Sequence, residues 1–175
     1  MSVSLSPLTL VLGGQRSGKS AYGESLFKNG GVYLATGDAS DEEMAQRIDA
    51  HQQRRGEGWV TVEEPMDLGR ALHRIEKLHD DQPVLIDSLG MWVSNVLHKG
   101  QSPVLMIEPL VHQMLKHQGP IVVISDQVGL GIVPMNAVAR AYIDALGLVN
   151  QITAHHANQA VLVTAGLAQI LKAQN

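Results

Sequence analysis

The chain has 175 residues, of which 45% are hydrophobic and 17% charged, with a formal charge of −4. That length builds one well-buried domain and is short for two. The negative balance offers no general attraction to nucleic acid or to an anionic membrane surface. Cysteine is absent, which excludes disulfides, thiolate metal sites and cysteine nucleophiles. No apolar run approaches membrane-spanning length and the N-terminus lacks a charged signal-peptide start, so a cytoplasmic protein is the simplest expectation.

In chain order, Thr9–Leu12 is an apolar run of buried-strand type, followed by Gly13, Gly14, Gln15, Arg16, Ser17, Gly18, Lys19 and Ser20. The octet fits G-x-x-x-x-G-K-[ST], the phosphate-binding loop. Gly13 and Gly18 permit backbone angles that other residues resist, so that successive N–H groups turn inward on a phosphate. Lys19 adds a point charge at the outer phosphates, and the Ser20 hydroxyl can ligate Mg2+. A helix is expected from Ser17 to Phe27, giving the strand, glycine loop and helix N-terminus of an anion site. This context argues against a chance match in a glycine-rich turn.

Gly30-Gly31 breaks the pattern, and Val32–Thr36 reads as a second strand. Ser40 followed by Glu43 is a capping box, so a helix is expected from Asp41 to Arg54 or Arg55, ended by Gly56. Trp59–Glu63 reads as a short strand. Leu68–Leu78 reads as a helix with Ala71, Leu72, Ile75 and Leu78 on its apolar face, and Pro83–Asp87 as a buried strand ending in an acid. Helices over Leu89–Leu97 and Leu105–Lys116, a strand over Ile121–Ile124, a long helix over Asn136–His156 with a weak point at Gly147, and a strand over Ala160–Thr164 follow. Leu167–Leu171 has no clear type. Alternating strands and helices predict a single α/β domain of P-loop type over residues 1–175, a mostly parallel sheet with helices on both faces.

Asp87 closes a strand downstream of the phosphate loop, where P-loop proteins carry a second acid for Mg2+, held directly or through water. It is equally suited to cap the helix that begins near Leu89, and the two roles are compatible. His51 lies one turn from Arg47 and within a turn of Arg54 and Arg55. Nearby positive charge disfavours imidazolium and leaves a neutral nitrogen able to attack, although a solvated arginine-rich face accounts for the pattern as well. His73, His79, His112 and His117 fall on or near helix surfaces, and the adjacent His155 and His156 point about 100° apart on a helix, which makes a metal site from that pair unlikely. Glu63 and Glu64 are strand-end acids with several possible uses. The apolar loop Gln127–Pro134 could line a pocket or pack beneath a subunit interface.

GGQRSGKS at 13–20, YLATG at 33–37, DEEMAQRIDAHQQRR at 41–55, WVTVEEP at 59–65, VLIDSLGMWVSNVL at 84–97 and VGLGIVPMNAVAR at 128–140 together resemble one family. It is the bifunctional adenosylcobinamide kinase / adenosylcobinamide-phosphate guanylyltransferase family of cobalamin biosynthesis. The phosphate loop is shared by many families, whereas R-I-x-x-H-x-x-R-R and V-G-x-G-I-V-P are narrower. The resemblance implies a P-loop α/β enzyme that phosphorylates the aminopropanol hydroxyl of adenosylcobinamide with ATP or GTP. It then implies transfer of GMP from GTP, through a histidine, to give adenosylcobinamide-GDP. It marks His51 as the guanylylated residue, Ala35, Thr36, Gly37, Gln52, Gln53, Arg54, Arg55, Glu63 and Asp87 as nucleotide contacts, and a homotrimer as the assembly. The chain departs from the family at Gln127, where an acid is expected before Val128-Gly129, and is shorter than some relatives between Gly100 and Pro120. A monofunctional P-loop kinase of a small metabolite and a non-catalytic nucleotide-binding switch are the competing readings.

Overall fold

The computed structural model describes residues 5–37, 58–79 and 81–173. The helix expected at 41–55, and with it Arg47, His51, Gln52, Gln53, Arg54 and Arg55, lies outside the described residues. The described elements in order are β1 (Leu8–Gly13), α1 (Lys19–Ser25), β2 (Gly31–Ala35), β3 (Trp59–Glu63), α2 (Leu68–His79), β4 (Val84–Asp87) and α3 (Leu89–His98). They continue with α4 (Pro103–Lys116), β5 (Ile121–Asp126), α5 (Ala137–His156), β6 (Gln159–Thr164) and β7 (Leu167–Ala173).

The strands form one seven-stranded sheet in the order β3-β2-β4-β5-β1-β6-β7. Every neighbouring pair is parallel except β6 and β7. The uninterrupted apolar runs of β1, β2 and β5 are explained by burial on both faces. On one face Val11, Leu85, Val122, Ile124 and Val163 pack with Tyr22 of α1 and with Leu26, the residue that ends it. On the other, Leu10, Leu34, Ile86 and Val123 meet Leu72 and Ile75 of α2, Trp92 of α3, Ile107 of α4 and Val149 of α5. Each such side chain, fully buried, contributes roughly 1.5–3 kcal/mol. Trp92 is held there by a 2.9 Å bond from its indole N–H to the Met66 carbonyl.

Four expectations change. The first helix starts at Lys19, because Arg16 (φ 55°) and Gly18 (φ 95°) hold the preceding turn in the left-handed region. Leu78 is 69% exposed, since the apolar stripe of α2 leaves the protein body at its last turn. α4 begins at Pro103, which occupies the first turn of the helix, where a missing N–H costs nothing. The terminal stretch is a strand, β7, hairpinned onto β6 through Ala165 (φ 52°) and Gly166 (φ 77°). Gly147 does not interrupt α5.

Candidate active site

The parallel register brings the carboxyl ends of the strands to one edge. Gly13 pairs with Asp126, Ala35 with both Asp87 and Glu63, and Asp87 with Ile124. Ligands of open α/β sheets gather at this edge, and the phosphate loop, Ala35–Gly37, Glu63, Asp87 and Asp126 all lie along it.

In the loop, Ser17 N–H donates to the Gly14 carbonyl (3.2 Å), and Tyr22 N–H to the Gly18 carbonyl (2.9 Å) starts α1. Gly18 needs its left-handed angle. Gly13 does not, contrary to the sequence reading: it ends a regular strand, and a β-carbon there would strike the Ser17 hydroxyl and come within 2.8 Å of the Val163 carbonyl. Close packing rather than backbone freedom is what requires glycine at 13. The Ser17 hydroxyl is buried and has no hydrogen-bond partner. Gln15 and Arg16 are exposed, while Gly14, Ser17, Lys19 and Ser20 are half-buried.

Lys19 Nζ makes a 2.7 Å ion pair with Asp126 Oδ1 and a 3.2 Å bond to the Gly14 carbonyl. The pair is largely covered, with side-chain exposures of 12% for Lys19 and 25% for Asp126. Asp126 is fixed from behind by Asn150, whose Nδ2 donates to the Asp126 carbonyl (3.0 Å) and whose Oδ1 accepts from the buried Ser125 hydroxyl (2.6 Å). A β-carbon on Gly90 would strike Asp126 Oδ2 and approach the Tyr142 hydroxyl at 3.1 Å, so glycine at 90 leaves the carboxylate its place. Gln127 stands where the family resemblance implies an acid. The structure sets an acid one residue earlier, against the loop lysine.

Burial, and then the Asp126 charge, push the Tyr142 hydroxyl up to about 12. Tyr142 therefore keeps its proton throughout the physiological range. A phenol pKa raised on folding contributes stability that is present below the ordinary value near 10 and is lost as pH rises through about 12. Wild type is therefore expected to lose more stability than Tyr142→Phe between those values. Parallel denaturant curves in the two variants would refute this.

Asp87 accepts a 2.8 Å hydrogen bond at Oδ2 from the Tyr33 hydroxyl. It does not cap α3: that position belongs to Ser88, whose hydroxyl accepts from Met91 N–H at 3.3 Å. Thr36 is buried, and its hydroxyl donates to the Ser88 carbonyl and accepts from Ser88 N–H, both at 2.7 Å. Asn95 Nδ2 donates to the carbonyls of Thr36 (2.8 Å) and Pro65 (3.0 Å). The side chain of Thr36 thus ties the exits of β2 and β4 together, and Asn95, unmarked by any motif, adds the segment after β3. Ala35 is buried, Gly37 is half-buried and Glu63 exposed. Glu64 accepts from Met66 N–H and Asp67 N–H, both at 3.0 Å, and so orders the turn into α2.

Ser20 and Asp87 both offer oxygen donors, the kind Mg2+ prefers, and the Tyr33 hydroxyl donates to Oδ2 of the Asp87 carboxylate. β4, which ends in Asp87, is separated by β5 from β1, which leads into the phosphate loop, and Mg2+ is an ion that keeps several waters among its ligands. The residues fit the ion.

A phosphate loop between β1 and α1, opposite strand-end acids on a mostly parallel sheet, defines a P-loop NTPase-type α/β protein. A KaiC-like protein from Pyrococcus horikoshii shares this fold, with a TM-score of 0.55 and 15% identity over 90% of this chain and 71% of that one. A family model described as cobinamide kinase / cobinamide phosphate guanyltransferase matches residues 9–171, and the chain belongs to that family. The bifunctional adenosylcobalamin biosynthesis protein CobP of Pseudomonas aeruginosa is 35% identical over 94% of this chain and 97% of its own length. The bifunctional adenosylcobalamin biosynthesis protein CobU of Escherichia coli is 32% identical over 94% of this chain and 99% of its own length.

Proposed function

We propose that the chain, acting as one P-loop transferase domain, phosphorylates adenosylcobinamide with ATP or GTP and then transfers GMP from GTP to the product. The observation that carries this reading is the covered Lys19–Asp126 pair at the phosphate loop, in a chain matched by the family from residue 9 to 171.

In the first reaction the aminopropanol oxygen attacks the γ-phosphorus, the bond to the β–γ bridging oxygen breaks, and the nucleoside diphosphate leaves. A bound triphosphate competes with Asp126 for the Lys19 ammonium, which turns that ammonium to the developing charge and releases the Asp126 carboxylate to take the hydroxyl proton. Asp126 so placed supplies the acid that Gln127 does not. In the second reaction a neutral His51 nitrogen attacks the α-phosphorus of GTP and pyrophosphate leaves. A phosphate oxygen of the phosphorylated corrinoid then displaces histidine, breaking the N–P bond and forming adenosylcobinamide-GDP.

Gly13–Ser20 cradle the phosphates, and Ala35–Gly37, Gln52, Gln53, Arg54, Arg55, Glu63 and Asp87 complete the nucleotide contacts. Ser20 and Asp87 would hold Mg2+, which would supply charge neutralisation on the phosphate oxygens. Asp87→Asn is expected to raise the Mg2+ concentration for half-maximal activity about tenfold or more. An unchanged magnesium titration would leave Asp87 with only its bond to Tyr33.

A homotrimer is part of the proposal. Its support is the apolar surface on the loop before α5, where Ile132 and Met135 are each 98% exposed, and on β7, where Leu167 is 76% exposed. A cytoplasmic location follows from the nucleoside triphosphates proposed as substrates; no described helix is long and apolar enough to cross a membrane. The test supplies adenosylcobinamide and ATP, identifies the corrinoid product by mass, and then adds GTP. The proposal expects the phosphate first and adenosylcobinamide-GDP after. Phosphate alone would indicate a monofunctional kinase, and nucleotide binding with neither product a switch.

A further inference from the structure

Three side chains away from the phosphate loop converge on one point. Glu108 and His112 lie one turn apart on α4, and His156 is the last residue of α5. His156 Nε2 lies 2.9 Å from Glu108 Oε1, and His112 Nε2 lies 3.6 Å from the same oxygen. The ligand atoms of all three fall within 4.8 Å of one another. The two imidazoles meet edge to face, their centroids 5.1 Å apart.

We propose that Glu108, His112 and His156 form a binding site for a late first-row divalent cation, Zn2+ in the first instance, that joins α4 to α5. Zn2+ bound tetrahedrally to imidazole nitrogen and carboxylate oxygen at 2.0–2.2 Å holds its ligands about 3.4 Å apart. The 2.9 and 3.6 Å separations bracket that value and the remaining one is within 4.8 Å, so side-chain rotations draw the two imidazoles together around the ion. Two imidazoles and one carboxylate favour Zn2+ over Mg2+ or Ca2+, which take oxygen donors. Three protein ligands leave the fourth position for water.

The site is open to solvent, with side-chain exposures of 50% for Glu108, 55% for His112 and 21% for His156. Its C-terminal wall is braced, because Lys172 Nζ of β7 donates to the carbonyls of Ala154 (3.0 Å) and His155 (2.7 Å). His155, the sequence neighbour of His156, is not among the three converging residues. α5 has 20 residues, about 30 Å at 1.5 Å per residue. Its other end adjoins the loop that leaves β5 at the active edge. The site thus lies at the far end of α5, and the ion's effect is on the packing of α4 against α5. The competing interpretation is a surface carboxylate–histidine pair with no metal.

The experiment uses the full chain, free of any polyhistidine tag and of nucleotide, titrated with Zn2+ against a chromophoric chelator. Wild type is expected to bind one Zn2+ per chain at micromolar or lower concentration and to gain in Tm. His112→Gln and Glu108→Gln, both at exposed positions and with metal-free Tm compared to wild type, are expected to bind at least about tenfold more weakly. Exposed His73→Gln on α2 is expected to bind as wild type does. Co2+ in place of Zn2+ is expected to give the visible absorption of a tetrahedral site in wild type, lost in His112→Gln. No Zn2+ bound by wild type at micromolar concentration, or equal binding by wild type, Glu108→Gln and His112→Gln, would overturn the proposal.

Discussion

Replacing His51 with Ala is expected to abolish formation of adenosylcobinamide-GDP while leaving phosphorylation of adenosylcobinamide within about tenfold of wild type, a loss of roughly 1.4 kcal/mol or less in the barrier. The expectation rests on two features of the sequence. His51 has Arg47 four positions before it and Arg54 and Arg55 three and four positions after, and positive charge beside an imidazole disfavours its protonated form. It also stands at the histidine of R-I-x-x-H-x-x-R-R. No other residue is proposed to supply the attacking nitrogen, so the guanylyl step has no substitute route. The kinase step uses the phosphate loop, which the substitution does not touch. The same arginines are proposed to serve a triphosphate, which sets the modest kinase loss expected. The two products are measured separately. Undiminished adenosylcobinamide-GDP would dismiss His51 as the nucleophile, and equal loss of both products would assign it a structural part.

Lys19→Ala is expected to lower both activities by about 100-fold or more, the scale for removing one charge-stabilising donor from a site aimed at a transition state. The geometry makes the expectation specific. Lys19 Nζ is already drawn to the loop, on the Gly14 carbonyl at 3.2 Å and on Asp126 at 2.7 Å, and its side chain is only 12% exposed. Its removal also strands Asp126 without its partner, so a loss of stability accompanies the loss of rate. Lys19→Arg keeps the charge but not the compact ammonium, and is expected to recover stability more than rate. Activities near wild type in Lys19→Ala would detach the loop from the chemistry.

What the sequence made legible follows from how locally each signal is encoded. The strands of the buried sheet were plain, because β1, β2, β4 and β5 are apolar on both faces. The long helix over Asn136–His156 was equally plain, and the structure shows Asn136 to be its cap: Oδ1 accepts from Val138 N–H at 2.8 Å. β7 was missed because it is an exposed strand whose side chains carry no burial alternation. The signal that could have found it is Ala165-Gly166, where both residues have positive φ, as tight hairpin turns require. Leu78 was misread because helical periodicity says which face a residue is on and not where the neighbouring surface ends.

The site was legible in part for the same reason. The phosphate loop is a contiguous motif, and Asp87 is legible as a strand-end acid, though only the fold separates it from the capping role that Ser88 fills. The partnership of Lys19 with Asp126, the fastening of strand exits by Thr36 and Asn95, and the gathering of Glu108 with His156 across 48 residues of sequence all depend on register and helix docking. No local pattern encodes them.

Whether one chain carries GMP through its own histidine is decided by incubating wild type with GTP labelled at the α-phosphate in the absence of corrinoid. The protein is then denatured and its bound label counted before and after a chase with phosphorylated adenosylcobinamide. Stoichiometric label is expected, acid-labile and base-stable as an N–P bond is, with released pyrophosphate and passage of the label to the corrinoid in the chase. Formation of adenosylcobinamide-GDP with no label ever on the protein would contradict it.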